Sequence, residues 1–343
     1  MTAWFGEAGA AGRPDQSMFP VQMLSRFGAL ARRFASRWSQ RRRCSDSRVA
    51  PVRYSANRRV GVLSLVLLLP SLGLGANAPE LPLYADRASD LDLAVTGLLA
   101  GADPGARRYA RWSDLARLPK TKLRLAGEFG PGEQEVTVVF LSDLWAALPV
   151  QGGADTLLAT CSDGYAAVYL TTFIRDYRPF LVLEINGQGP EKWPPAGLRF
   201  NPGPYVLSVA ASVVPSVAEL IDAGHKRPWG VTTLEIARLE SRFGALFGGP
   251  WARAGEVVRQ GRELWIHSCA SCHRGPAEVF GGTKSDRPFA LLAALARGAP
   301  DYFRRYIINP KGLVPTAKME AHPHYTEAQL DALTAFVALG VAP

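Results

Sequence analysis

From Leu91 to about Leu246 the apolar positions recur at short range. Val136, Val138 and Phe140 repeat every second residue, the period of a half-buried strand. Thr156 to Thr160 and Tyr165 to Leu170 flank a turn, and the apolar run Phe180 to Ile185 is stopped by Asn186-Gly187, a turn pair. Gly189 to Pro204 is rich in proline and glycine and predicts a loop. Leu141 to Leu148 and Pro215 to Ala223 predict two helices among the strands. The region is therefore an expected α+β domain, mainly β in character.

Beyond Phe247-Gly248-Gly249-Pro250 the period changes. Val257, Val258, Gly261, Leu264, Trp265 and Ser268 share one helical face, and Phe289 to Arg297 and Asp301 to Ile308 predict two further helices, with Pro310 closing the second. The last helix opens on a capping box, Thr326 to Gln329, and presents Leu330, Leu333, Phe336 and Val337 before Gly340. An all-α domain follows the β-rich one, with the boundary near Gly248. At 343 residues, 48% of them hydrophobic and 20% charged, the chain is long enough for two ordinary domains.

The net charge of +9 is localised. Residues 1–59 hold twelve arginines against Glu7, Asp15 and Asp46, which accounts for all of it, so the remainder is neutral. A nucleic-acid partner is excluded on this ground, because the folded part has no positive excess to neutralise phosphates. The basic stretch runs into apolar Val60 to Ala76 and then Ala76-Asn77-Ala78. That order predicts a secretory signal peptide, or a membrane anchor formed by residues 60–76 if it stays uncleaved. The expected organisation is a leader over 1–78, the mainly β domain over 79–248 and the all-α domain over 249–343, in a periplasmic, exported protein.

Of the four cysteines, Cys44 lies in the leader, Cys161 stands alone, and Cys269 and Cys272 form a CxxC pair, so no disulfide framework is present. Cys269-Ala270-Ser271-Cys272-His273 places two thiols three residues apart, on one side of a turn, with a histidine directly after the second. This is the attachment pattern of one covalent haem (heme c): the thiols meet the two vinyl groups and His273 reaches the iron. A zinc site would need a second pair at matching spacing, and His322 and His324 are one residue apart rather than three to five. A dithiol redox pair is the other alternative.

Met1, Met18 and Met23 lie in the leader, which leaves Met319 as the one methionine beyond it. A thioether opposite histidine is a standard electron-transfer pairing, which makes Met319 the expected sixth ligand. A core-filling role for Met319, with His322 or His324 as ligand instead, stays open. His267 lies too near the attachment turn to reach the other haem face.

Gly261 and Trp265 ahead of CASCH, Tyr306-Ile307-Ile308-Asn309-Pro310-Lys311, the loop methionine and the closing stretch Thr326 to Leu339 together resemble a class I cytochrome c domain over residues 250–343. The resemblance implies that Gly261 lets the first helix cross the last closely, against Leu333 or Phe336. It also implies that a proline carbonyl, of Pro288 or Pro276, orients His273. Upstream, Val136 to Trp145, Asp163-Gly164-Tyr165, Asn186-Gly187 and Trp229-Gly230-Val231 resemble in their order the later part of the molybdopterin-binding domain of sulfite-oxidase-type oxidoreductases. That family holds molybdenum through a cysteine on a strand ahead of the segment matching Val136 to Leu148. Here no cysteine lies between Cys44 and Cys161. Cys161 follows the wrong element and is expected to be a buried small residue, with Asp163 and Tyr165 as turn and packing residues. A molybdenum cofactor is not expected.

The resulting expectation is an electron carrier rather than an enzyme, passing electrons through the haem to redox partner proteins in the periplasm, with the first domain as a docking module. The alternative is an oxidoreductase in which a molybdenum-dependent dehydrogenase is fused to a cytochrome c. A haem-based sensor with a vacant sixth site is a third possibility.

Overall fold

The computed structural model describes residues 80–340 other than 104, 221, 222 and 278, so the leader, with its expected signal or anchor segment, lies outside the described residues. Nine strands come first: β1 Leu93–Gly97, β2 Arg108–Ala110, β3 Thr121–Ala126, β4 Glu133–Phe140, β5 Thr156–Cys161, β6 Ala166–Leu170, β7 Phe180–Ile185, β8 Val206–Ser208 and β9 Val231–Ala237. Three short helices, α1 Trp112–Leu115, α2 Leu141–Ala147 and α3 Thr171–Tyr177, are interspersed. The rest is helical: α4 Leu239–Phe243, α5 Glu256–His267, α6 Phe289–Gly298, α7 Pro300–Ile308, α8 Pro310–Leu313 and α9 Glu327–Ala338. Among the described residues no helix is long and apolar enough to cross a membrane.

The strands form a five-stranded sheet in the order β2-β1-β9-β5-β6 and a four-stranded sheet in the order β3-β4-β7-β8. All neighbours are antiparallel except β1 and β9, which pair in parallel with Val95 beside Leu234. Leu157, Ala159, Leu234 and Ile236 of the first sheet meet Val139, Leu181, Leu183 and Leu207 of the second in one core. The periodic set Val136, Val138 and Phe140 faces the other way, into a cluster with Leu125, Phe129 and Trp193. The alternation seen in the sequence thus marks the outer face of the second sheet.

The outer face of the first sheet is covered by the helices. Leu158, Val168 and Ala237 belong to the same apolar cluster as Trp265, Ile266, Phe289, Leu333 and Phe336. Burial on both faces explains why β5 reads as a nearly continuous apolar run. Within the helical layer α5 crosses α9 at Gly261, where an added Cβ would lie 2.0 Å from the Ala332 carbonyl oxygen and 2.7 Å from the Phe336 Cβ. The close crossing falls on Ala332 and Phe336 rather than on Leu333, because the glycine meets the α9 backbone itself.

Two local expectations change. Where the sequence predicts a helix from Pro215, Pro215–Glu219 forms a 3-10 turn, a five-residue segment whose one buried side chain is Val217 and which has no apolar stripe to support a longer helix. Pro310 does not simply end the preceding helix. It opens the short α8 at the first helical position, where its missing N–H costs nothing, and the Asn309 side chain accepts a hydrogen bond from the Gly312 amide. The capping box of α9 forms as the sequence requires, with both reciprocal bonds between Thr326 and Gln329.

Candidate haem-attachment site

The last residue of α5 is His267, and the chain continues directly into a 3-10 turn over Cys269–Ser271. The amides of Cys272 and His273 both donate to the Cys269 carbonyl, at 3.1 and 3.0 Å, which closes the CASCH segment into one turn. Cys269 and Cys272 are half-buried, and neither is in a disulfide. Burial raises the Cys272 pKa.

His273 packs on Trp265, with ring centroids 6.1 Å apart. Its Nδ1 is buried and has no hydrogen-bond partner, so neither Pro288 nor Pro276 orients it through that atom. The Pro288 carbonyl instead accepts from Leu291 and Leu292, and that of Pro276 from Val279. Burial, reinforced by nearby His322, pushes the His273 pKa down to about 4, which leaves the imidazole neutral at neutral pH. A neutral imidazole is the form that can ligate a metal. A loop clasps this turn from outside: the Gly282 amide donates to the Ala270 carbonyl at 2.8 Å, and that of Ser285 to Cys272 at 3.0 Å. The approach is close enough that a Cβ on Gly282 would lie 2.1 Å from the Ser271 carbonyl oxygen.

Met319 lies between α8 and α9, half-buried against the cluster that contains Trp265. Three residues on, His322 is buried, anchored by its amide to the Ile307 carbonyl at 3.0 Å, with its own Nδ1 unpartnered. Its ring stacks on Tyr325 at 5.2 Å, and His324 lies edge-on at 5.8 Å.

The β-rich part of the chain reaches this region at two points that the sequence did not reveal. The turn between β5 and β6 is Asp163-Gly164-Tyr165. Lys284 donates to Asp163 at 2.8 Å, and the Thr283 amide donates to the Gly164 carbonyl at 2.7 Å. The second point is His225-Lys226. The His225 ring stacks between Tyr165 and His322, at 6.5 and 5.4 Å, and its ring nitrogens lie 3.4 and 3.5 Å from the Ser268 hydroxyl. Tyr325 donates to that same hydroxyl at 2.6 Å. Buried Lys226 donates to the Val168 carbonyl at 2.6 Å and lies 3.2 Å from His267 Nδ1. Asp163 and Tyr165 are thus turn and packing residues, but what they pack on is the CASCH turn and the loop that clasps it. Cys161, at the end of β5, is buried, and burial together with the Asp163 charge pushes its thiol up to about 12.

No family model matches the chain, and no curated protein does. Among solved structures, the crystal structure of the sulfane dehydrogenase SoxCD from Paracoccus pantotrophus is similar at 21% identity and a TM-score of 0.31. The match covers 46% of this chain and 42% of that one, so the chain spans well under half of the relative it resembles. A likeness this partial carries no argument about the site.

Proposed function

We propose that the chain is an exported c-type cytochrome: Cys269 and Cys272 hold one haem covalently, and His273 and Met319 are its axial ligands. A haem held in this way supplies a one-electron couple. The observation that carries the reading is the CASCH turn itself, two half-buried thiols beside a neutral, half-buried histidine whose buried Nδ1 has no protein partner. The helical layer fixes that turn between α5 and the Gly282 loop, so the ligand is held by packing rather than by a flexible tail. Met319, on the segment leading to α9, supplies a soft thioether packed against the same core.

The β-rich part is proposed to carry no molybdenum. β3 and β4, the strands ahead of α2, contain no cysteine, and the thiol of Cys161 is buried and held protonated. Cys161 also follows α2 instead of preceding it, so it does not stand where such a centre takes its thiolate. The leader directs the chain to the periplasm, where the partners are other redox proteins.

The test is covalent haem retention. Wild-type protein made in a host that matures c-type cytochromes should stain for haem peroxidase activity after denaturing electrophoresis, and Cys269→Ala with Cys272→Ala should abolish the stain. A wild-type band that loses its haem under these conditions overturns the proposal.

A further inference from the structure

We infer that the β-rich part of the chain is a working part of the haem site: His225 and the Asp163-Gly164-Tyr165 turn are positioning residues that hold the attachment turn and the Met319–His322 segment in register. The inference rests on the function proposed above.

Two clamps meet at this place. The first grips the attachment turn from outside. Asp163 takes Lys284 and Gly164 takes Thr283, and the Cβ position of Gly282 lies 2.8 Å from the Gly164 carbonyl oxygen and 2.1 Å from that of Ser271, so the turn presses the clasping loop onto the CASCH segment. There is no slack in this contact: a Cβ on Gly164 would lie 2.3 Å from the Thr283 hydroxyl. The second clamp spans the two sides of the site. His225 lies flat on His322, with planes 21° apart, and flat on Tyr165, with planes 16° apart. Tyr165, His225, His322 and Tyr325 therefore form one column of stacked rings.

Ser268 ties the column to the turn. It precedes Cys269 and bonds both to Tyr325 and to His225. His322 is three residues from Met319, so whatever fixes the His322 ring limits where the thioether can go. Both residues of the His225-Lys226 pair are committed to this contact, Lys226 reaching His267 one residue before Ser268. Displacing two parallel aromatic rings and their buried bonds opens the site, and a sixth ligand delivered by a loop is the element that loosens first.

The experiment uses the full chain carrying His225→Ala, with His225→Phe as the variant that keeps the ring and loses its nitrogens. In wild type and His225→Phe the ferric haem should be six-coordinate and low-spin, and the ferrous haem should not bind carbon monoxide. In His225→Ala a high-spin fraction should appear, and the ferrous haem should bind carbon monoxide. A His225→Ala protein with the wild-type spectrum and wild-type gas binding overturns the inference. So does a His225→Phe protein as disturbed as His225→Ala, since the stacked ring would then not be the cause.

If His225→Ala yields no soluble protein, the exposed pair is tested by Lys284→Met, for which faster amide exchange at Thr283 and Ser285 is expected and unchanged exchange overturns the clamp. A wild-type chain that does not stain for haem would remove the functional reading alone. Amide exchange over 268–273 and 322–325 in the haem-free chain would still decide the clamp, with faster exchange in His225→Phe than in wild type not expected and faster exchange in His225→Ala required.

Discussion

Gly261 of α5 rests on the backbone of α9 at Ala332, with a Cβ position 2.0 Å from the carbonyl oxygen. A backbone carbonyl cannot rotate aside as a side chain can. Gly261→Ala would gain about 1 kcal/mol of helix propensity, and overpacking against fixed backbone costs ~1–3 kcal/mol or more, so the clash wins. Gly261→Val should lower the unfolding free energy by about 3 kcal/mol in denaturant titration. Gly298, at the end of α6 with open space around its Cβ position, is the control: Gly298→Ala should leave stability unchanged or raise it by up to ~1 kcal/mol.

Met319→Ala should abolish the weak sulfur-to-iron absorption band of the oxidised protein and lower its reduction potential, because the replacement ligand favours ferric iron. Spectroelectrochemical titration measures both. A wild-type spectrum of bis-histidine type would instead assign the ligand to His322 or His324.

Acid should weaken the fold through His267. Burial, and then the Lys226 charge, push its pKa down to about 3, against about 6.5 in the unfolded chain. Lys226 Nζ faces its Nδ1 at 3.2 Å and the Glu263 carboxylate its Nε2 at 3.9 Å. The unfolded chain takes up a proton below about pH 6.5 that the folded chain refuses, so stability falls as pH drops from there toward 3. The slope is about 1.4 kcal/mol per pH unit at most for this group. Urea unfolding at pH 7.0 and 5.5 should show the loss, and His267→Gln should reduce it.

Elemental analysis of protein made in a host that synthesises the molybdenum cofactor should give iron at about one atom per chain and no stoichiometric molybdenum. Cys161→Ser should leave both values unchanged. With its pKa near 12 and its side chain buried, Cys161 should react with an alkylating reagent at pH 8 at least ~100-fold more slowly than in the unfolded chain. Molybdenum near one per chain, lost in Cys161→Ser, would establish the enzyme reading instead.

The sequence made some of this legible because the signals were local. The CASCH turn, the capping box at Thr326 and the strands around 136–140, 156–160, 165–170 and 180–185 rest on neighbours within a few positions. Gly261 was legible as a close crossing with Phe336 as one of its two expected partners, and the Ala332 backbone was the contact the sequence did not show. What stayed hidden depends on separation along the chain. Asp163-Gly164-Tyr165 reads as a turn from three residues, but its contact with Lys284 spans 121 positions. His225 sits within a four-residue 3-10 segment, Ala223–Lys226, too short to show a periodicity, and nothing in its neighbourhood announces a ring stack on His322. Likewise, the apolar β5 gave no hint of which face would meet the helices, because both faces are covered.

The position of β9 between β1 and β5 has a kinetic consequence. Among the described residues its partner β1 is the first strand and β9 is the last, with Ala94 paired to Thr233. Until residue 237 is available, β1 and β5 have no shared neighbour, and their apolar edges must wait for a strand that arrives from far along the chain. Such a pairing raises the contact order, and folding should be slow and arrive late in a single step that closes the sheet and the surface for α5 together. A chain truncated before Val231 should accordingly remain collapsed but unpaired, vulnerable to association through its open strand edges.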